Sequence, residues 1–112
     1  MPQPRSQTPR HIFTTALADW QRAWTTHARH DRRAASAGFA TATGRAHLAA
    51  MTDISTSIDA IETKIAQTPA NNRAELQLKI AILSLDGLIR PEFQSSILED
   101  AMRMVAEAEA EA

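Results

Sequence analysis

The side chains best suited to chemistry are His27, His30 and Asp31, which would lie within about one turn of a predicted helix. His27 and Asp31 are four residues apart, a spacing at which two helical side chains can share a divalent metal ion. The sequence has no Glu-x-x-His motif and no second ligand cluster, so a ferritin-like di-iron site is not supported. Cysteine is absent, which removes thiolate sites. We therefore expect no metal and no cofactor, and interpret the histidines as a solvated or pH-responsive face.

Signatures of catalysis are missing as well. The histidines fall on a predicted helix, and no glycine-bounded turn presents a nucleophile. The sequence contains neither a phosphate-binding loop nor a dinucleotide-binding fingerprint. The adjacent carboxylates Glu99 and Asp100 are typical of an exposed helix face. We predict that the protein is not an enzyme.

Arg29, Arg32 and Arg33 form the densest basic patch and would share one helix face, which could contact a phosphate backbone. Residues 1–50 carry seven arginines against two aspartates, a charge of +5, whereas residues 51–112 carry five basic and eleven acidic residues, a charge of −6. Such asymmetry indicates an acidic or basic partner, or halves that fold against each other or against a second copy. We favour a solvated arginine face, or one that faces the acidic last helix of a second copy.

Trp20 and Trp24 are four residues apart and share a helix face with Phe13 and Leu17. The steps of four, three and four follow a heptad pattern, which is typical of a core or a dimer seam. The alternative is a stacking platform for nucleic acid or a ligand pocket, but stacking aromatics are usually set among lysines and glycines.

The composition indicates an all-α fold, because alanine is abundant, aromatic residues are only 4% and there are three glycines. We predict a loose tail over residues 1–9 and a single helical domain over 10–112. Its helices would cover about 10–67, 72–87 and 91–109. The first is either one long helix, which we favour, or two helices that break near Gly38 or Gly44. The fold would be an antiparallel helical hairpin or bundle with coiled-coil-like packing.

Local signals support the predicted helix starts. Thr8 and Pro9 suit an N-cap and the first helical position, and Asn72 with Glu75 has the form of a capping box. Arg90-Pro91 suits a further start. The core row of the last helix is predicted at Phe93, Ile97, Ala101, Met104/Val105 and Ala108.

The predicted helices do not match in length, since the two short helices can cover only about half of the long one. The stripe from Phe13 to Trp24 would then be exposed, which predicts an interface and a homodimer. No apolar run approaches the roughly 18 residues of a membrane span, and no secretory signal is evident. We therefore expect a cytoplasmic protein.

The corner between the first two predicted helices reads Thr68-Pro69-Ala70-Asn71-Asn72-Arg73-Ala74-Glu75-Leu76-Gln77-Leu78-Lys79. It resembles a segment of short uncharacterised bacterial helical proteins, some of them encoded near prophage or other mobile elements. Asn71 and Asn72 stand where that pattern has threonines, and Glu75 stands where it has a small residue. The resemblance implies a helical corner and no defined activity.

Taken together, the residues predict a non-enzymatic helical protein-interaction module. It would self-associate through Phe13, Leu17, Trp20 and Trp24, and act by binding another macromolecule, an unidentified protein. The alternative is a small mobile-element-type regulator or inhibitor that contacts nucleic acid or a nucleoprotein complex through the three arginines.

Overall fold

The computed structural model describes the backbone of residues 9–111 and the side chains of residues 11–111. The described chain contains α1 (Pro9–Ala37), α2 (Ala42–Ala66), α3 (Arg73–Ile82), β1 (Ser84–Leu85), β2 (Leu88–Ile89), a 3-10 turn (Pro91–Phe93) and α4 (Gln94–Glu111). The predicted all-α class is confirmed, with a long first helix and shorter helices after α2. Within the described residues, no helix is both long enough and apolar enough to cross a bilayer.

The favoured single helix over 10–67 is wrong, and the alternative of two helices that break near Gly38 is confirmed, because the chain turns between α1 and α2. Gly38 ends α1 with φ of 91°, a left-handed conformation that costs glycine little. Thr41 then caps α2, its hydroxyl accepting a hydrogen bond from the Gly44 N–H at 3.0 Å. A Cβ on Gly44 would collide with the carbonyl oxygen of Gly38. The break near Gly38 is therefore specified by backbone geometry at both glycines, and the modest helix cost of a glycine does not reveal it.

The predicted helix over 72–87 is too long, since α3 has only 10 residues. A small antiparallel hairpin follows it, in which Leu85 pairs with Leu88. Asp86 and Gly87 form the turn with φ of 51° and 81°. Positive φ at both central residues matches the twist of the two strands, which is why Asp-Gly favours a tight hairpin turn.

Two predicted helix starts are confirmed. The Asn72 side chain caps α3 by accepting a hydrogen bond from the Glu75 N–H at 2.9 Å, and Glu75 accepts one from the Asn71 N–H at 2.9 Å. The 3-10 turn begins at Pro91, and α4 follows it directly. At the N-terminus α1 begins at Pro9. The predicted cap at Thr8 and the rest of the predicted tail lie outside the described residues.

The chain divides into two compact units. The terminal unit combines the chain up to Leu17 with the chain from Glu62 onward, and the hairpin unit is Ala18–Ile61. The buried apolar residues of the terminal unit are Phe13, Ile65, Ala70, Ile82, Leu83 and Ile97, and those of the hairpin unit are Ala34 and Ile58. A single domain over 10–112 stays a prediction.

Candidate interaction surface

The predicted apolar stripe of α1 is partly covered within the chain itself. Phe13 is fully buried in the terminal unit, so its assignment to an interface is wrong. The prediction failed because the chain turns back after α1, and the end of α2 belongs to the same unit as Phe13. Leu17, Trp20 and Trp24 are half-buried. In the hairpin unit the Trp24 ring makes edge contacts with Trp20 and His27, at centroid distances of 6.4 and 5.3 Å. A role for these three residues at an interface stays a prediction.

The predicted basic patch is open to solvent. Arg29, Arg32 and Arg33 are all exposed, and within the described residues none of the three forms an ion pair. In contrast, Arg22 on the same helix pairs with Asp19 at 3.1 Å. The patch therefore carries charge that the described chain does not neutralise locally.

The histidines are paired across the helical hairpin and not along one helix. Nδ1 of His30 lies 2.9 Å from Nδ1 of His47, and the two rings are half-buried. One ring must donate and the other accept, so at least one histidine of this pair is neutral when the bond forms. Asp31 is exposed. The described residues hold no group of three or more side chains arranged for a metal ion.

A buried ionic network holds the corner before α3. The Lys79 ammonium donates to a carboxylate oxygen of Asp100 at 2.6 Å and to the carbonyl oxygen of Thr68 at 2.9 Å. Asp100 also accepts from the N–H of Ala70 at 3.1 Å and from Arg103 at 2.9 Å. Arg103 in turn donates to the Ala70 carbonyl at 2.7 Å. The carbonyl groups of Thr68 and Ala70 and the N–H of Ala70, which no helix pairs, thus have charged side chains as partners.

The predicted exposed face at Glu99 and Asp100 is half wrong, since Asp100 is only 3% exposed. Burial raises the pKa of Asp100, but hydrogen bonds from Lys79, Arg103 and the Ala70 N–H outweigh it and hold the pKa below its ordinary value. The carboxylate is therefore ionised at neutral pH. Its contacts are all with the protein, so we assign the network to the stability of the corner.

A second ionic cluster joins α2 to the start of the last helical segment. Arg90 donates to the buried carboxylate of Glu62 at 2.6 Å and to the exposed carboxylate of Glu92 at 2.9 Å. Its guanidinium also lies 5.5 Å from the centre of the Phe93 ring. Arg90 thus fixes the chain where it leaves the hairpin and enters α4.

A row of three large apolar side chains is exposed on α4. Leu98, Met102 and Val105 are 59%, 63% and 57% exposed, and their spacing of four and three residues puts them on one face. We call these three residues the outward stripe. The opposite face of α4 is buried through Ile97 and Asp100. A helix that is apolar on two faces needs cover on both, and the described chain covers only one.

A groove adjoins the first turn of α4. Leu85 and Leu88 of the β-hairpin are 53% and 74% exposed, and they line an open groove of about 660 Å³ that extends from Ile80 to Gln94. We call it the hairpin groove. Gln94 lies one turn before Leu98, so the hairpin groove and the outward stripe follow each other along the same face of α4.

Sequence reasoning missed this surface because it followed only the apolar row that contains Ile97. It also allowed Val105 in that core row, which is wrong because Val105 is 57% exposed. The signal was present, since Leu98, Met102 and Val105 repeat with helical spacing as well. It also missed the partner of Lys79, because Asp100 is 21 residues away and no local pattern joins the two.

Comparisons of the chain with protein-family models, with curated proteins and with solved structures found no match. The resemblance at the Thr68–Lys79 corner therefore stays a prediction. What the molecule does has to be argued from the outward stripe, the hairpin groove and the exposed arginines.

Proposed function

We propose that the protein is a non-enzymatic helical interaction module that self-associates, with the outward stripe of α4 as its seam. The observation that carries the proposal is the exposure of Leu98, Met102 and Val105 on a helix whose other face is already packed. Contiguous apolar surface of this kind marks interaction sites on soluble proteins. A second copy offers the same surface, and two-fold pairing is the commonest form of self-association.

The exposed areas indicate a weak association. Full burial of a leucine, methionine or valine side chain contributes about 1.5–3 kcal/mol, and somewhat more than half of each stripe residue remains to be buried. Six such residues in a dimer contribute roughly 6–10 kcal/mol, against a cost of about 4 kcal/mol or more for lost rotational and translational freedom. The net gain is therefore about 6 kcal/mol at most, and we expect a dimer whose Kd is about 40 µM or weaker.

Sedimentation equilibrium over a range up to about 2 mM, well above the tightest Kd expected, tests the proposal. The wild-type chain should show a monomer–dimer equilibrium, and Met102→Glu should shift it strongly toward monomer because a carboxylate would be buried in the seam. Ala110→Glu is the matched control, since it adds the same charge to an exposed position of α4 away from the stripe. A wild-type chain that stays monomeric throughout this range would refute the proposal.

A second candidate function rests on the exposed patch of Arg29, Arg32 and Arg33. Three arginines without local ion pairs suit a phosphate backbone, and a small regulator of a nucleoprotein complex would use such a face. The test is binding of a labelled duplex at two salt concentrations. Binding that weakens with salt and is lost in Arg29→Glu/Arg33→Glu supports this function, whereas binding that is absent, or indifferent to both changes, excludes it.

A further inference from the structure

We propose that two copies of the chain pair through α4 in an antiparallel, two-fold register, with Leu98 of each copy against Val105 of the other. This inference rests on the proposed function, because it names the partner and the geometry of the same surface. Three independent features of α4 lead to it: the symmetry of its outward face, the charges at its two ends and the position of the hairpin groove.

The outward face of α4 is nearly symmetric about the midpoint between Ala101 and Met102. Leu98 and Val105 are equally distant from this midpoint, and so are the polar residues Gln94 and Glu109 one turn further out. A two-fold axis at the midpoint therefore brings each large apolar residue opposite another apolar residue. It also brings the Gln94 amide, a hydrogen-bond donor, opposite the Glu109 carboxylate of the second copy. In a parallel pair each Glu109 would face its own counterpart instead.

The dipole of α4 is not complemented by the charges at either end of the helix. Its first turn has no acidic residue and its last turn no basic residue, while Glu107, Glu109 and Glu111 cluster at its C-terminal end. Acidic side chains are stabilised near a helix N-terminus and destabilised near a C-terminus. The nearest acidic residue before α4 is Glu92, which Arg90 already neutralises at 2.9 Å. In an antiparallel pair the glutamates of one copy lie beside the N-terminal end of the other, which corrects both ends at once.

In this register the C-terminal end of the second copy's α4 needs space beside the first turn of α4, and the hairpin groove lies there. When Glu109 is opposite Gln94, the residues that follow Glu109 continue past the first turn of the other copy's α4 toward Pro91, which lines the groove. After Val105 the described end of α4 carries only alanine and glutamate, and the Ala110 side chain lies about 120° around the helix from the outward stripe, outside the seam. The groove thus accepts the end of the second copy's helix without a clash from bulky side chains.

Disulfide trapping tests the register cleanly, because the chain has no native cysteine. In the antiparallel pair the two copies of residue 102 lie within about 2 Å of each other along the helix axis, whereas the two copies of residue 98 are offset by about 10 Å. Disulfides need Cα atoms within about 7 Å. With oxidised glutathione as the oxidant, Met102→Cys should therefore cross-link to itself, and Leu98→Cys mixed with Val105→Cys should form the mixed dimer. Leu98→Cys alone and Val105→Cys alone should not.

Each other outcome overturns a defined part of the inference. Self-cross-linking of Leu98→Cys and of Val105→Cys would show a parallel pair, which refutes the register and leaves self-association intact. A dimer in sedimentation with no cross-link at any of the three positions would refute α4 as the seam. A monomer in sedimentation would refute the proposed function itself. Reducing each cross-linked sample and repeating its circular dichroism spectrum shows whether the variant is folded, and Ala110→Cys gives the background from random collision.

Discussion

Replacement of Lys79 by methionine should destabilise the fold far more than replacement of an ordinary surface lysine. Lys79 is a lysine on a ten-residue helix, yet its side chain is 1% exposed and donates two hydrogen bonds. Methionine keeps the unbranched stem and a similar helix propensity. The change thus removes the ammonium and leaves the buried Asp100 carboxylate and the Thr68 carbonyl each short of one donor.

The magnitude follows from those two contacts. A hydrogen bond that involves a charged group contributes about 1.5–3 kcal/mol, so two of them contribute roughly 3–6 kcal/mol. Loss of one partner from a buried ion pair gives a similar figure, about 3–5 kcal/mol. With a dependence on urea of about 1–3 kcal/mol per molar, the midpoint of unfolding should fall by at least about 1 M.

Urea unfolding followed by far-UV circular dichroism measures this loss, and Arg22→Met is the matched control. Arg22 also pairs with a carboxylate from a helix, at 3.1 Å, but the two side chains are 74% and 49% exposed. A surface pair of this kind contributes less than about 1 kcal/mol. If Lys79→Met costs no more than Arg22→Met, the buried network does not stabilise the corner and the reasoning is refuted.

Three further predictions concern single residues. Gly44→Ala should lower the melting temperature, although this change adds about 1 kcal/mol of stability in an ordinary helix, because its Cβ would collide with the corner; a higher melting temperature would contradict the close approach. Asn72→Ala should reduce the free energy of unfolding by about 1 kcal/mol through loss of the cap, while Asn71→Ala, which keeps its backbone N–H bond, should cost less in the same urea assay. Burial raises the pKa of Asp100, but the hydrogen bond from Lys79 and its other donors lower it overall, so its contribution is complete above the unfolded pKa of about 4 and is lost as pH falls through the lower folded pKa. Unfolding free energies between about pH 5 and pH 2 should fall less steeply in Asp100→Asn than in wild type, and equal slopes would show that Asp100 does not drive the acid loss.

The parts of the fold that the sequence predicts well are those specified by residues close together in the chain. The cap at Asn72 and the start at Pro91 each depend on a few adjacent residues, and both are found. The hairpin turn at Asp86 and Gly87 is equally local, yet the strong apolar period of the segment before it favoured a longer helix. The corner after α1 was only the second choice, because the helix cost of Gly38 was weighed without its combination with the cap at Thr41.

The candidate surface shows a different limit. Phe13 was assigned to an interface because a single long helix would lack cover there, whereas the residue is buried in the terminal unit. Exposure depends on which face of a helix the rest of the chain covers. On α4 the buried face includes Asp100, whose contact with Lys79 spans 21 residues and leaves no local trace in the sequence.

The ionic network and the outward stripe are two consequences of the same rotation of α4. Asp100 and Leu98 are two residues apart, about 200° around the helix, so the rotation that buries one must expose the other. Both rows of α4 are apolar enough to enter a core, and hydrophobic burial alone would favour Leu98 and Met102 over an aspartate. The observed rotation also buries Ile97, and we expect the contacts from Lys79 and Arg103 to Asp100 to favour it over the alternative.

If the Lys79–Asp100 contact sets the rotation of α4, its loss should also affect self-association through the outward stripe. Under conditions where Lys79→Met remains folded, the loss of its contact with Asp100 should let α4 turn its outward stripe toward the core and weaken self-association. The experiment is done at about 10 °C without denaturant, where small domains are near their maximum stability. Sedimentation measures the dimer fraction, and circular dichroism of the same sample measures the helical content. Asn72→Ala is the control, since it destabilises the same unit without touching α4. A folded Lys79→Met chain that dimerises as well as Asn72→Ala would show that the network serves stability alone and does not set the face that α4 presents.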